Sequence, residues 1–415
     1  MLKLLTISLL LLTQVCNAQF VEKINFHISP IKSISEEPFA NSFKLQHAIS
    51  SLSVAIKQEY SFDGSYLVAD RDTFYLKQDE HGLEVDTKFS VLVIFPQNVS
   101  SFELHYATIR DSINIFLIND NPENSNLTIS PSDSYKSINP DFTRPSMIDQ
   151  SVWRAGLKEP DFERIVHEVH NVIIHHSASS NLVTDYTTAI RNIYLYHTKV
   201  RHWSDIGYNY VIAANGDIYK GRDPGINEQD MVMGAHFCSS NHGTMGICML
   251  GTFTEVAPTD AAFDSLEKLL VWKLGKDGLD PLGQYAHPLN DELNVIAGHR
   301  DGCATECPGE IMYSRLGLMR ERVNNKIIIV GIDLVDQHNN VLDEIHLFPN
   351  PFDQNLSITS AHQIESLSIL SLSGEAIKTI QSPTQEIDLS FLPTGMYLIQ
   401  IKSGNKTLLK KILKK

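Results

Sequence analysis

The stretch Val172-Ile-Ile-His-His-Ser-Ala178 joins a short run of β-branched residues to a pair of histidines. The β-branched run favours a buried strand, since such side chains pack well on a pleated surface. Successive side chains of a strand point to opposite faces, so His175 and His176 cannot both face the same point. The stretch therefore predicts a buried strand that presents one histidine at its carboxyl end.

Around this strand, residues 147–325 mix short apolar strands with helical periodicity. We expect further strands at 208–214, 217–220, 246–251 and 293–297, and helices at 184–199 and 259–274. Asn215-Gly216 lies between two of these strands and is a strong hairpin turn sequence. Strands interspersed with helices predict an α/β domain with a mixed central sheet flanked by helices.

The flanking regions have a different character, and 415 residues exceed the usual size of a single hydrophobic core. Residues 19–120 contain strand-like runs and predict a β-rich accessory domain. Residues 121–146 are rich in Asn, Ser, Asp and Pro and predict a linker. After a second linker at 326–345, residues 346–415 return to short strands and predict a small β-sandwich.

The chain begins with the features of a secretory signal peptide at residues 1–18. Lys3 precedes the apolar run 4–12, and the small residue Ala18 lies before the expected cleavage point. No later apolar run reaches membrane-spanning length, so we expect an exported mature protein without a transmembrane segment. With 34 Lys and Arg against 49 Asp and Glu, the net charge is -15, which argues against nucleic acid as a partner.

Two later segments add residue types that bind metals. His299-Arg-Asp301 follows a predicted strand, and Glu306-Cys-Pro-Gly309 lies in a predicted loop. Zinc prefers imidazole nitrogen and thiolate sulfur, and a catalytic site uses three protein ligands and keeps one position open. Two histidines and a cysteine meet this requirement, so the sequence predicts a catalytic zinc site.

The central region resembles the peptidoglycan recognition protein and type 2 N-acetylmuramoyl-L-alanine amidase family, over roughly 180 residues, a normal domain size. The resemblance rests on five motifs in order: Val172–Ala178, Trp203-Ser-Asp-Ile-Gly-Tyr-Asn-Tyr210, Gly216-Asp-Ile-Tyr-Lys-Gly-Arg222, Gly234-Ala-His236, and Gly298-His-Arg through Thr305-Glu-Cys-Pro-Gly309. It implies that His175, His299 and Cys307 hold zinc. It also places Tyr208 and Thr305 beside the metal.

The activity that this resemblance implies is that of a secreted zinc amidase. Such an enzyme hydrolyses the peptidoglycan amide between the muramic acid lactyl group and L-alanine, where zinc lowers the pKa of a bound water and polarises the carbonyl. Tyr208 would donate to the developing oxyanion, and Thr305 would orient the water or the oxyanion. His236, Arg222 and His176 would contact the substrate. The alternative is a recognition protein that binds peptidoglycan without cutting it. In either case we expect a monomer.

The cysteines fit an oxidising compartment. With Cys307 as a zinc ligand, the loop residues Cys238 and Cys303 are expected to form a disulfide and Cys248, within an apolar strand, to stay free and buried. Pairing of Cys238 with Cys248 is one alternative. Cys303 as a fourth zinc ligand, which would close the site, is another.

The tail resembles the type A sorting domain of the type IX secretion system. The matching motifs are Leu347-Phe-Pro-Asn-Pro-Phe352, 367–374, 389–397 with Gly395-Met-Tyr397, and the final Lys410-Lys-Ile-Leu-Lys414. The resemblance implies export across the outer membrane by the type IX machinery, either into the medium or to the cell surface. The alternative is an ordinary β-sandwich adhesion module.

Overall fold

The computed structural model describes most of the chain in two compact units. The described residues are 21–27, 39–79, 86–109, 112–119, 142–338, 345–360, 363–370, 376–403 and 406–415. The first unit comprises 1–134, 145–266 and 283–316, and the second comprises 135–144, 267–282 and 317–415. The predicted signal peptide and residues 121–141 of the predicted first linker lie outside the described residues.

The N-terminal region forms an antiparallel sheet, which confirms the predicted β-rich character. Its strands are β1 (Val21–His27), β2 (Phe39–Lys57), β3 (Tyr66–Ala69), β4 (Asp72–Tyr75), β5 (Thr87–Phe89), β6 (Val93–Tyr106) and β7 (Ser112–Ile118). Their order is β1-β7-β2-β6-β3-β4, and β5 pairs with β2. Side chains alternate between the two faces, so Leu67, Leu104 and Ile113 reach the core while their neighbours face outward.

The central region forms the predicted mixed sheet. Its strands are β8 (Asn171–His176), β9 (Tyr210–Ile212), β10 (Ile218–Lys220), β11 (Thr244–Met249) and β12 (Ile296–Gly298), in the order β10-β9-β11-β8-β12. Strands β11 and β12 lie on either side of β8 and run parallel to it. Strands β9 and β10 form the antiparallel hairpin predicted from Asn215-Gly216. Gly216 has φ of +91°, the left-handed conformation that glycine adopts without steric cost.

The described helices are α1 (Gln150–Trp153), α2 (Tyr186–Leu195), α3 (Asp260–Asp277), α4 (Glu310–Ser314) and α5 (Leu316–His338). Of these, α2 and α3 correspond to the two helices that the sequence predicts. A π-helical turn, Tyr196–Val200, extends α2, and a 3-10 turn, His299–Asp301, follows β12. Helix α5 covers the first part of the stretch 326–345 that the sequence analysis assigned to a linker. No helix among the described residues is long and apolar enough to cross a membrane.

The C-terminal strands lie in two sheets, β13-β14-β17 and β16-β15-β18-β19. Their bounds are β13 (His346–Phe348), β14 (Asn355–Thr359), β15 (Ser366–Leu370), β16 (Ala376–Gln381), β17 (Glu386–Asp388), β18 (Gly395–Ser403) and β19 (Lys406–Lys414). Buried residues of both sheets, such as Leu356 and Ile399, share one apolar cluster. This is the two-layer arrangement that the sequence predicts for the tail.

Within the first unit, the N-terminal sheet packs against α2 and the turn after it. Leu92 and Ile94 of the N-terminal region belong to one apolar cluster with Ile190 and Ile193 of α2. The carboxylate of Asp79 accepts hydrogen bonds from Tyr196 Oη at 2.6 Å and from a guanidinium nitrogen of Arg201 at 2.5 Å.

The ion pair between Asp79 and Arg201 is buried, since both side chains are almost inaccessible to solvent. Removing one partner of a buried pair leaves the other charge desolvated and uncompensated. Asp79→Ala should therefore lower the free energy of unfolding by about 3–5 kcal/mol. Denaturant unfolding of the full chain measures this loss. Glu59→Ala removes an exposed carboxylate of the same region and should change stability by less than about 0.5 kcal/mol; equal effects would contradict the assignment.

Candidate metal centre

Strands β8 and β12 place two histidines at one edge of the central sheet. The two strands are hydrogen-bonded neighbours and run parallel, so their carboxyl ends lie at the same edge. His175 lies near the end of β8, and His299 directly follows β12. Both are fully buried, and their ring centroids are 4.5 Å apart.

The loop that carries Cys307 is fixed by backbone hydrogen bonds. The Cys307 amide donates to Thr305 Oγ1 at 2.9 Å, and the Cys307 carbonyl accepts from the Arg300 amide at 3.0 Å. The amide of His176 donates to Cys307 Sγ at 3.3 Å. An N–H directed at sulfur stabilises the thiolate, which is the form of cysteine that binds metals.

His175, His299 and Cys307 converge. Each offers one ligand atom, and these atoms lie within 4.8 Å of one another; Nδ1 of His175 is 3.7 Å from Cys307 Sγ. Two ligands of one tetrahedral zinc lie about 3.3–3.8 Å apart, because zinc bonds are about 2.0–2.3 Å long. Two imidazoles and one thiol are the donors that zinc prefers, so these residues fit a catalytic zinc ion.

His236 holds the orientation of the His175 ring. Its Nδ1 lies 3.0 Å from Nε2 of His175, so the two rings share a hydrogen bond on the side of His175 away from Cys307. Gly246 lets the His236 ring approach the sheet, because a Cβ there would lie 2.6 Å from that ring. Hydrogen bonds of this kind fix the tautomer and direction of a metal-binding histidine.

A disulfide lies beside His299. Cys238 and Cys303 are bonded, as the sequence predicts, and Cys238 Sγ is 3.8 Å from Nε2 of His299. The sulfurs of a disulfide are not thiolates, so in this form neither is available as a fourth ligand. Cys248 and Cys307 are buried and take part in no disulfide, and burial raises the pKa of the Cys248 thiol well above its usual value.

Tyr208 lies against the candidate ligands. Its ring centroid is 5.2 Å from that of His175, and the residue is buried. Burial raises the pKa of the Tyr208 hydroxyl well above 10, and the neighbouring Cys248 and Cys307 raise it further. The hydroxyl is therefore protonated at neutral pH and is able to donate a hydrogen bond.

A cavity of about 720 Å³ is lined by Cys307, whereas His175 and His299 are not among the described residues that line it. Cys307, Tyr208, Thr305 and His176 line it, and so does His197, whose Nδ1 accepts from the Gly207 amide at 3.1 Å. Other walls come from residues 61–63, 72–79 and 91–93 of the N-terminal region. The sequence analysis does not include His197 among the site residues, and no N-terminal motif indicates that this region reaches the cavity.

Arg222 and His236 are two of the substrate contacts that the sequence predicts. Both are buried, and neither is among the described residues that line the cavity. A guanidinium nitrogen of Arg222 donates to Ser204 Oγ at 2.9 Å, and the group lies 4.9 Å from the Phe162 ring. These contacts favour structural and positioning roles, and the predicted substrate contacts of both residues stay predictions.

Two family models match the chain. Residues 166–310 match the N-acetylmuramoyl-L-alanine amidase family, and residues 346–415 match the secretion system C-terminal sorting domain. The sorting domain directs export through type IX secretion, to the cell surface or the medium.

Similar proteins define the class of the central domain. Peptidoglycan-recognition protein SC2 of Drosophila melanogaster is 30% identical over 173 residues, which cover 41% of this chain and 84% of that protein. Peptidoglycan recognition protein 3 of Homo sapiens is 28% identical over 172 residues, covering 41% of this chain and 45% of that protein. The central domain is of the amidase type, and the chain belongs to the peptidoglycan recognition protein family.

Solved structures of relatives match the same part of the chain. The crystal structure of Drosophila peptidoglycan recognition protein SD is 27% identical, with a TM-score of 0.34, and the match covers 41% of this chain and 92% of that one. The human PGRP-IβC structure, in complex with glycosamyl muramyl pentapeptide, is 25% identical, with a TM-score of 0.35, and the match covers 42% and 96%.

The donor set predicts the metal content of the purified protein. We expect about one zinc per chain, since His175, His299 and Cys307 form one group of three zinc-type donors among the described residues. Cys307→Ala and His299→Ala should each lose most of it, measured by plasma emission spectrometry after dialysis. Cys248→Ala removes the other buried thiol outside the disulfide and should retain the metal. Full zinc occupancy in Cys307→Ala would contradict the assignment.

Proposed function

We propose that the chain is a secreted zinc-dependent N-acetylmuramoyl-L-alanine amidase. It hydrolyses the peptidoglycan amide between the lactyl group of muramic acid and L-alanine. The observation that carries the proposal is the convergence of His175, His299 and Cys307 beside an open cavity that Cys307 lines. A purely structural zinc site has four protein ligands, whereas three ligands beside an accessible space are typical of catalysis.

His175, His299 and Cys307 would hold the zinc ion. When bound, zinc polarises a carbonyl oxygen and lowers the pKa of water. The hydrogen bond between Nε2 of His175 and Nδ1 of His236 keeps Nδ1 of His175 directed toward the cluster. The disulfide restrains the loop next to His299, so the donors are held in place before metal and substrate bind.

Tyr208 supplies a hydrogen-bond donor for the carbonyl oxygen of the scissile amide. Its hydroxyl stays protonated at neutral pH because burial raises its pKa. A fixed donor stabilises negative charge that develops on that oxygen during attack on the amide carbon. Thr305 lies at the same cavity, and since its oxygen accepts from the Cys307 amide, its hydroxyl proton can still be donated to a water or to the substrate.

Recognition without hydrolysis is the second candidate function. The relatives are named recognition proteins, and the human structure is a complex with glycosamyl muramyl pentapeptide. A binder of this kind needs the cavity but not the metal. The presence of all three zinc-type donors favours the enzyme.

Product analysis tests the enzyme directly. Purified peptidoglycan incubated with the chain should release stem peptides with a free N-terminal alanine, detected by mass spectrometry. A chelator should abolish the release and added zinc should restore it, which separates metal loss from denaturation. Intact peptidoglycan that retains the protein, with no released peptide, would favour the binder.

Tyr208→Phe tests the oxyanion donor. Removing one such donor lowers kcat by about 10²–10³-fold, because its hydrogen bond strengthens as the charge develops. Zinc content and KM should stay close to wild type. Tyr219→Phe changes a buried tyrosine that is not among the described lining residues, and it should leave kcat unchanged. Unchanged kcat in Tyr208→Phe, or lost zinc, would remove Tyr208 from this role.

A further inference from the structure

The cavity beside the metal centre has one wall from outside the amidase-type region. Residues 61–63 and 72–79 of the N-terminal region line it together with Cys307 and Tyr208, whereas the amidase family match begins at residue 166. Ligand pockets commonly enclose about 300–1,000 Å³ and bury most of the molecule they bind. A cavity of about 720 Å³ therefore has room for more of the substrate than the scissile amide.

Tyr75 presents an aromatic ring at this wall. It lies on β4, and it is 72% exposed, the highest exposure among the large aromatic side chains of the described residues. Its ring centroid is 5.9 Å from that of Tyr66, which stacks on His105 at 4.4 Å. An exposed tyrosine offers a large amphipathic surface with only two side-chain torsions to order, and this one also has a neighbouring ring that restrains it.

The polar groups of the same wall suit hydroxyl groups better than carboxylates. Asp63, Asp72 and Thr73 are exposed there, and their oxygens can accept hydrogen bonds from hydroxyls. Two carboxylates repel an anionic ligand. Lys77, the one lysine or arginine among the described lining residues, forms an ion pair with Glu306 at 3.2 Å. The wall thus combines an aromatic face with acceptors and little positive charge.

Two ion pairs connect this wall to the amidase-type region that carries the candidate metal centre. The buried Asp79–Arg201 pair lies at the end of this wall, and Lys77 contacts the loop that carries Cys307. Tyr75 and Cys307 line the same cavity, so one extended substrate can contact both.

We propose that this wall is a saccharide subsite, which binds sugar rings of the peptidoglycan glycan strand with Tyr75 as the stacking surface. The inference rests on the proposed function, because it assigns the polysaccharide part of the same substrate to the N-terminal region. Peptidoglycan joins neutral N-acetylated sugars to a stem that carries carboxylates, and the chemistry of the wall matches the sugars.

Binding of peptide-free glycan tests the subsite independently of catalysis. A β-1,4-linked oligosaccharide of N-acetylglucosamine, a neutral N-acetylated glycan without carboxylates, is titrated into the full chain by calorimetry. Tyr75→Ala should weaken binding about tenfold, the scale of one aromatic contact. Tyr285→Ala removes a half-exposed tyrosine that is not among the described lining residues, and this variant should bind the glycan like wild type. Absence of binding by wild type, or equal binding by Tyr75→Ala, would overturn the proposal.

Substrate length gives the second readout. Tyr75→Ala should lower kcat/KM about tenfold on a tetrasaccharide bearing stem peptides and leave it unchanged on N-acetylmuramoyl-peptide, which has no further sugar to stack. Asp72→Ala is a second variant of the wall, and it should likewise lower kcat/KM on the tetrasaccharide but not on N-acetylmuramoyl-peptide. Equal loss on both substrates would overturn the subsite. Glycan binding that depends on Tyr75 in a chain that releases no peptide would refute the amidase but not the subsite.

Discussion

The parallel pairing of β8 with β12 is the constraint on which the candidate site depends. It brings together His175 and His299, which are more than a hundred residues apart in the sequence, at one edge of the sheet. The Cys307 loop then needs only short hydrogen bonds to Thr305, Arg300 and the end of β8 to bring its sulfur to the two rings. Three donors from distant segments become one site because the sheet fixes two of them.

Residues around the three donors fix the orientation of His175 and limit which sulfurs are available. His236 occupies Nε2 of His175, which leaves Nδ1 on the side of Cys307. Glycine at 246 makes room for that second ring, since any side chain would collide with it. The disulfide between Cys238 and Cys303 lies against His299 and engages two thiols that would otherwise be candidate ligands. The hydrogen bond to His236 and the disulfide therefore leave Nδ1 of His175, His299 and the sulfur of Cys307 as the three donors.

Sequence patterns predicted the parts of this picture that depend on local chemistry. The β-branched run before His175, the Asn215-Gly216 turn and the tail strands each have a periodicity or turn residue that determines the element. The ordered motifs predicted the convergence of His175, His299 and Cys307, and the loop positions of Cys238 and Cys303 favoured their pairing. Burial of Arg222 and His236 was not predictable in this way, because it depends on neighbours such as Phe162 and Gly246 that approach only in the folded chain. The positions of Asp79 and Tyr75 were not predictable for the same reason: the ion pair of Asp79 with Arg201, and the cavity that Tyr75 shares with Cys307, join distant segments of the chain.

X-ray absorption spectroscopy at the zinc edge of the zinc-loaded full chain tests whether His175, His299 and Cys307 bind one zinc ion. We expect a four-coordinate ion with one sulfur at about 2.3 Å and two imidazole nitrogens at about 2.0–2.1 Å, completed by one further light atom. Two or more sulfur neighbours would instead indicate that Cys238 or Cys303 binds the ion. That result, or a zinc without any sulfur neighbour, would contradict an open site formed by His175, His299 and Cys307.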